Sequence, residues 1–161
     1  MLAPYVVTRN FERLHRYHPH DADAARYTAD DGEISEGNMQ FSNVVLLQSD
    51  PVLARSLIAS LCNSFRSVQM ASSLDELRSS VAKHRSDVAI IDMESASIPD
   101  VHSLSSEFPG VSIVCTHRLA DEEMWTEALN AGAADICPSN DTRGILTAAV
   151  RSAGMMHSAA A

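Results

Sequence analysis

The side chains best placed to do chemistry in this chain follow short apolar runs. Gln48-Ser49-Asp50 follows Val44–Leu47, Asp92-Met93-Glu94 follows Val88–Ile91, Thr116-His117 follows Val111–Cys115, and Pro138-Ser139-Asn140 follows Asp135–Cys137. Asp92 is the sharpest feature, because a carboxylate directly after Val88-Ala89-Ile90-Ile91 stands at the mouth of any sheet the run enters. Such a group can act as a nucleophile or hold a hard cation. The same residue type also opens loops by accepting hydrogen bonds from backbone N–H groups, and the sequence leaves both readings open.

Two other clusters could do chemistry. His15, His18 and His20, with Asp21 and Asp23, bring metal-ligating types together, but their spacing matches no structural zinc pattern. They read as solvated polar residues. Cys62, Cys115 and Cys137 lie within apolar runs, are odd in number and lack CxxC spacing, so they read as buried reduced thiols.

The elements that must position Asp92 begin at Asn43, where short apolar runs alternate with helical periodicity. The strand candidates are Val44–Leu47, Ser67–Met70, Val88–Ile91, Val111–Cys115 and Asp135–Cys137. Continuous apolar runs suit strands covered on both faces. Between them, Val52, Leu53, Leu57, Ile58 and Leu61 mark one face of a first helix. A second opens at Ser73 with the capping box Ser-Leu-Asp-Glu and runs to about His84, with Leu74, Leu77 and Val81 inward. The third spans roughly 100–107, and the fourth opens on Asp121, Glu122 and Glu123 at the positive end of its dipole and stops at Gly132. Ile145, Leu146, Ala149 and Val150 form the stripe of the last.

Right-handed crossovers between these units predict an α/β class: a flavodoxin-like (βα)5 three-layer sandwich with a five-stranded parallel sheet in the order 2-1-3-4-5. Ligands in such folds sit at the carboxyl ends of the strands, beside the switch point between the first and third. Gln48–Asp50 and Asp92 fall there.

The 161 residues allow one domain with an appendage. Residues 1–42 lack periodicity and read as a flexible acidic arm, 43–153 as the domain, and 154–161 as a frayed tail. The net charge of −9 opposes binding to nucleic acid or anionic membrane, and no basic patch offsets it. No run is long and apolar enough to span a membrane, and no secretory leader precedes the arm, so a cytoplasmic location is expected.

NVVLLQSDPVLARSLIASL, SDVAIIDMES, VSIVCTH and ALNAGAADICPS, in this order and spacing, resemble the receiver domain of two-component response regulators. The resemblance covers about 43–153. It implies that Asp92 is the phospho-acceptor and Thr116 the switch hydroxyl, and that the partner is a protein, either a sensor kinase or another signalling protein. It also implies that the face built from the fourth helix, fifth strand and fifth helix binds partners or forms a homodimer. Trp125 and Leu129, an i, i+4 pair on that helix, are the candidate partner surface, while Met124 and Ala128 pack inward. Burial of the whole stripe is the competing reading.

The departures from the family pattern are as informative. Two acidic residues that help hold Mg²⁺ in the family are replaced by Gln48 and Ser49, the lysine that pairs with the phosphoryl group by Ser139, and the aromatic switch residue by Ile136. Only Asp92 remains of the metal set, with Asp50 and Glu94 as substitutes that would have to turn inward. Losing such cationic stabilisation costs phosphoryl transfer about a hundredfold per group. The expectation is therefore a stand-alone atypical receiver, not an enzyme, with weak or no phosphorylation at Asp92 and weak Mg²⁺ binding. It would act in phosphorelay-type signalling as a protein-interaction module.

Three alternatives stand beside it. A conventional Mg²⁺-dependent receiver would recruit Asp50 or Glu94. A small phosphatase-like hydrolase would use Asp92-Met93-Glu94-Ser95, which faintly resembles the DxDx signature of haloacid-dehalogenase-type phosphatases. A flavodoxin-like cofactor carrier lacks support, since QSDPVLAR offers no Gly- or Thr-rich phosphate cradle.

Overall fold

The computed structural model describes residues 6–8 and 42–159, with side chains over 42–155. The strands are β1 (Val6–Thr8), β2 (Asn43–Leu47), β3 (Ser67–Ala71), β4 (Val88–Asp92), β5 (Ser112–His117) and β6 (Asp135–Pro138). The helices are α1 (Pro51–Leu61), α2 (Leu74–His84), α3 (Ile98–Glu107), α4 (Glu122–Asn130) and α5 (Thr142–Ala159). They form one sheet in the order β1-β3-β2-β4-β5-β6. The five strands from β2 onward are parallel and stand in the expected 2-1-3-4-5 order.

Strand alternation sorts the core into two layers. Val45, Leu47, Ala89, Ile91, Ile113, Cys115 and Ile136 face α2, α3 and α4, meeting Leu77, Val81, Val101, Leu104 and Ala128. Val44, Leu46, Val88, Ile90, Val114 and Cys137 face α1 and α5, meeting Leu57, Leu61, Ile145 and Ala149. Both faces of the sheet are covered, which is why its strands read as continuous apolar runs.

In each βα turn a polar residue two to five positions after the strand caps the next helix. Asp50 accepts from Val52 N and Leu53 N at the start of α1, and Asp121 accepts from Met124 N at the start of α4. Asp141 accepts from Gly144 N in the first turn of α5. Ser97 and Asp100 form a reciprocal capping box on α3, so that helix begins at Ile98, two residues before the expected start. On α2 the expected box is shifted. Ser73 Oγ accepts from Glu76 N, but the Glu76 carboxylate takes Ser72 N and Ser72 Oγ instead.

Three readings from the sequence are corrected. Val6–Thr8, inside the stretch read as an arm, form a sixth strand antiparallel to β3. The reason is that the outer edge of β3 carries unpaired backbone groups that any extended segment of the same chain can satisfy. The tail is helical through Ala159, since Gly154 is tolerated inside a run of Ala and Met, both good helix formers. Val52 is 69% exposed: it sits in the first turn of α1, where the apolar stripe has not yet met the sheet. The histidine cluster at 15–20 lies outside the described residues.

Candidate functional site at the carboxyl edge of the sheet

Four buried polar residues lie where β2, β4, β5 and β6 end. Leu47 is in register with Ile91, and Asp92 with Thr116, so Asp92 and Thr116 stand side by side on adjacent strands and Gln48 directly follows β2. Alternation places Asp92 and Thr116 on the α1/α5 side with Ile90 and Val114, while Gln48 and Ser139 lie just beyond the ends of β2 and β6. All four are buried: Gln48 is 6% exposed, Asp92 1%, Thr116 0% and Ser139 4%.

The Asp92 carboxylate is closed in by donors. Ser49 reaches it twice, from its N–H at 3.2 Å and its hydroxyl at 2.5 Å, both to Oδ2. Glu94 N–H donates to Oδ1 at 3.0 Å, the turn expected of an Asp that opens a loop. Asp92 thus satisfies the loop-capping reading.

The substitute carboxylates point elsewhere. Asp50 is committed to the first turn of α1. Glu94 Oε1 lies 3.7 Å from His117 Nε2 and 3.6 Å from Arg118 Nε, which draws it toward the loop after β5. Gln48 is fixed by Asp50 N–H, which donates to its Oε1 at 3.1 Å and leaves Nε2, a donor, facing the interior. A hard divalent cation needs several converging oxygens. No group of three or more His, Cys, Asp or Glu side chains that could hold a metal ion is found among the described residues.

Gln48 Nε2, Thr116 Oγ1 and Ser139 Oγ are buried without a hydrogen-bond partner among the described residues. The Ser139 position carries no cation, so the row is uncharged apart from Asp92. Its backbone is anchored: Met93 N donates to Thr116 O at 2.8 Å and Ser139 N to His117 O at 3.0 Å. Ile136 is core, 6% exposed on the opposite side of the sheet, and offers no swinging aromatic ring. Burial pushes the Cys115 thiol up to about 12 and the Cys137 thiol up to about 11, which disfavours their thiolate forms.

On α4, Met124 and Ala128 pack inward while Trp125 is 47% exposed and Leu129 half-buried. The stripe is therefore only partly covered. Leu119, 77% exposed in the preceding loop, was not anticipated; its position outside any periodic segment gave no signal. The sequence also gave no hint of the Ser49 hydroxyl bond to Asp92, because Ser49 reads only as a lost acidic residue. The pairing of Glu94 with His117 and Arg118 depends on two loops meeting.

Solved structures place this arrangement among known folds. A response regulator from Thermotoga maritima superposes with a TM-score of 0.64 at 15% identity, over 71% of this chain and 98% of that one. A CheY-like receiver domain protein from Methanospirillum hungatei gives 0.65 at 15%, over 74% and 98%. The fold is that of a response-regulator receiver domain. A protein from Burkholderia pseudomallei named for pilus assembly shares this receiver fold at 0.61 and 18%, over 72% and 92%. No family model and no curated protein matches the chain by sequence. Among the described residues, no helix is long and apolar enough to cross a membrane.

Proposed function

We propose that this receiver-fold chain is an atypical signalling module that works through protein contact, with Asp92 serving as a buried loop anchor and not as an efficient phospho-acceptor. The observation that carries the reading is the closure of the Asp92 carboxylate by Ser49 and Glu94 N–H while Asp50 and Glu94 are engaged elsewhere. Phosphoryl transfer needs positive charge around the transferred oxygens. Here Gln48 and Ser139 supply neutral groups where charge is needed, and Arg118 is turned to Glu94.

Output then passes through a surface, and the half-exposed Trp125 with Leu129 on α4 is one candidate contact. The test is exposure of the purified chain to phosphoramidate with Mg²⁺, followed by intact-mass measurement. The expected spectrum is unmodified protein. Stoichiometric labelling that Asp92→Asn abolishes would instead establish a conventional Mg²⁺-dependent receiver.

A further inference from the structure

Charge is sorted between the two ends of the sheet. Each helix follows a parallel strand and runs back along it, so helix starts gather at the carboxyl edge and helix ends at the amino edge. At the amino edge, Lys83, His84 and Arg85 close α2, and Arg66 stands directly before β3. Asn43 ties these two segments together: its Oδ1 accepts from Ser67 Oγ at 2.8 Å and its Nδ2 donates to His84 O at 3.0 Å. Arg66, Lys83 and Arg85 are exposed and make no ion pair among the described residues, whereas Arg78, Arg118 and Arg151 are paired. Carboxylates at this edge are engaged, since Asp87 accepts Asn43 N–H at 2.9 Å and Glu107 is held by Arg78 at 3.3 Å. The sequence hides the grouping, because β3 and most of α2 separate Arg66 from Lys83.

The carboxyl edge is the reverse. Glu122 and Glu123 stand exposed in the first turn of α4, where the helix dipole favours them, and no ion pair engages them among the described residues. Trp125 lies three residues after Glu122, so the half-exposed indole and that carboxylate share one face of the helix. The exposed Leu119 precedes them in the loop. An indole beside a carboxylate is a receptor for a Lys or Arg side chain, which gains from the ring face and from the charge together.

We propose that the chain associates head to tail with a second copy of itself, the Arg66, Lys83 and Arg85 end of one copy seating on the Glu122, Glu123 and Trp125 end of the next. Complementarity of charge argues this occupant: the exposed, unpaired cations that the α4 face accepts are grouped on the same molecule. They lie at the opposite end of the sheet, so one chain cannot bring its own two faces together. The contact is heterologous and extends from copy to copy. A net charge of −9 opposes approach at long range, but at physiological ionic strength charges beyond about 8 Å are screened and the close pairs remain. The association is therefore weak and salt-sensitive. This rests on the protein-contact reading, whose partner it names; phosphodonor labelling and self-association are separate measurements, so each fails without the other.

The test is sedimentation equilibrium of the full chain over a concentration series. The average mass should rise above that of one copy, and the association constant should fall at least about tenfold between about 50 mM and about 500 mM salt. Two variants separate the faces: one carries Arg66→Gln, Lys83→Gln and Arg85→Gln, the other Glu122→Gln and Glu123→Gln. Glutamine keeps helix propensity and removes only the charge. Each variant alone should associate at least about tenfold more weakly than the unaltered chain. Their equimolar mixture should form a two-copy complex and stop there, because one member keeps the acidic face and the other the cationic one. A single-copy mass at every concentration, association as strong in either variant or in high salt, or a mixture no heavier than its parts overturns the proposal.

Discussion

Ser49 Oγ donates to Asp92 Oδ2 at 2.5 Å, tying the loop after β2 to the end of β4 across 43 residues of sequence. The residue that replaces an expected metal ligand thereby supplies a direct bond between the two loops. Glu94 extends the linkage, since its N–H holds Asp92 and its carboxylate meets His117 and Arg118.

Ser49→Ala removes the hydroxyl donor and leaves the Ser49 N–H bond in place. Hydrogen bonds to a charged group contribute about 1.5–3 kcal/mol, and the exposure of Ser49 places this one at the lower end. Urea unfolding should show a loss of about 1.5 kcal/mol. An unchanged midpoint would mean that water replaces the hydroxyl without cost.

Thr116→Val keeps the side-chain shape and deletes a buried hydroxyl that has no partner among the described residues. Stability should rise or stay within about 1 kcal/mol, because no protein hydrogen bond is lost. A loss of about 2 kcal/mol or more in the same melt would show that the hydroxyl is satisfied by ordered water.

Two helix ends should respond with opposite sign. Gly132, at φ 107, follows α4, and an added Cβ would lie 2.2 Å from Ser105 Oγ. Gly132→Ala should therefore cost about 2 kcal/mol. Arg85, the C-cap of α2, sits at φ 49 without being glycine, so Arg85→Gly should gain about 1 kcal/mol. Thermal melts of the two variants should move in opposite directions.

Acid should weaken two of the helix starts. The Ser72 hydroxyl, and then its N–H, hold Glu76 below the usual 4.5, and Ser97 does the same for Asp100 below the usual 3.8. A carboxylate with a lowered folded-state value contributes fully at neutral pH and loses that contribution as pH falls through this range. Urea midpoints should drop below about pH 4.5, and Ser72→Ala with Ser97→Ala should flatten the dependence. A slope unchanged by the double variant would place the acid sensitivity elsewhere.

What the sequence determined is local. Apolar runs ending in polar residues set the five parallel strands, and capping residues such as Asp50, Ser73 and Asp121 set the helix starts, because periodicity and capping act over a few neighbouring residues. The sequence also shows directly that Gln48, Ser49 and Ser139, after the strands, are uncharged. Tertiary structure decided which way these side chains turn. Strand register put Asp92 beside Thr116, loop contact took Glu94 to His117, the α1 cap claimed Asp50, and an open sheet edge recruited Val6–Thr8. Each of these pairings joins groups distant in sequence or chooses between partners that local rules leave equal, so only the packed sheet resolves them.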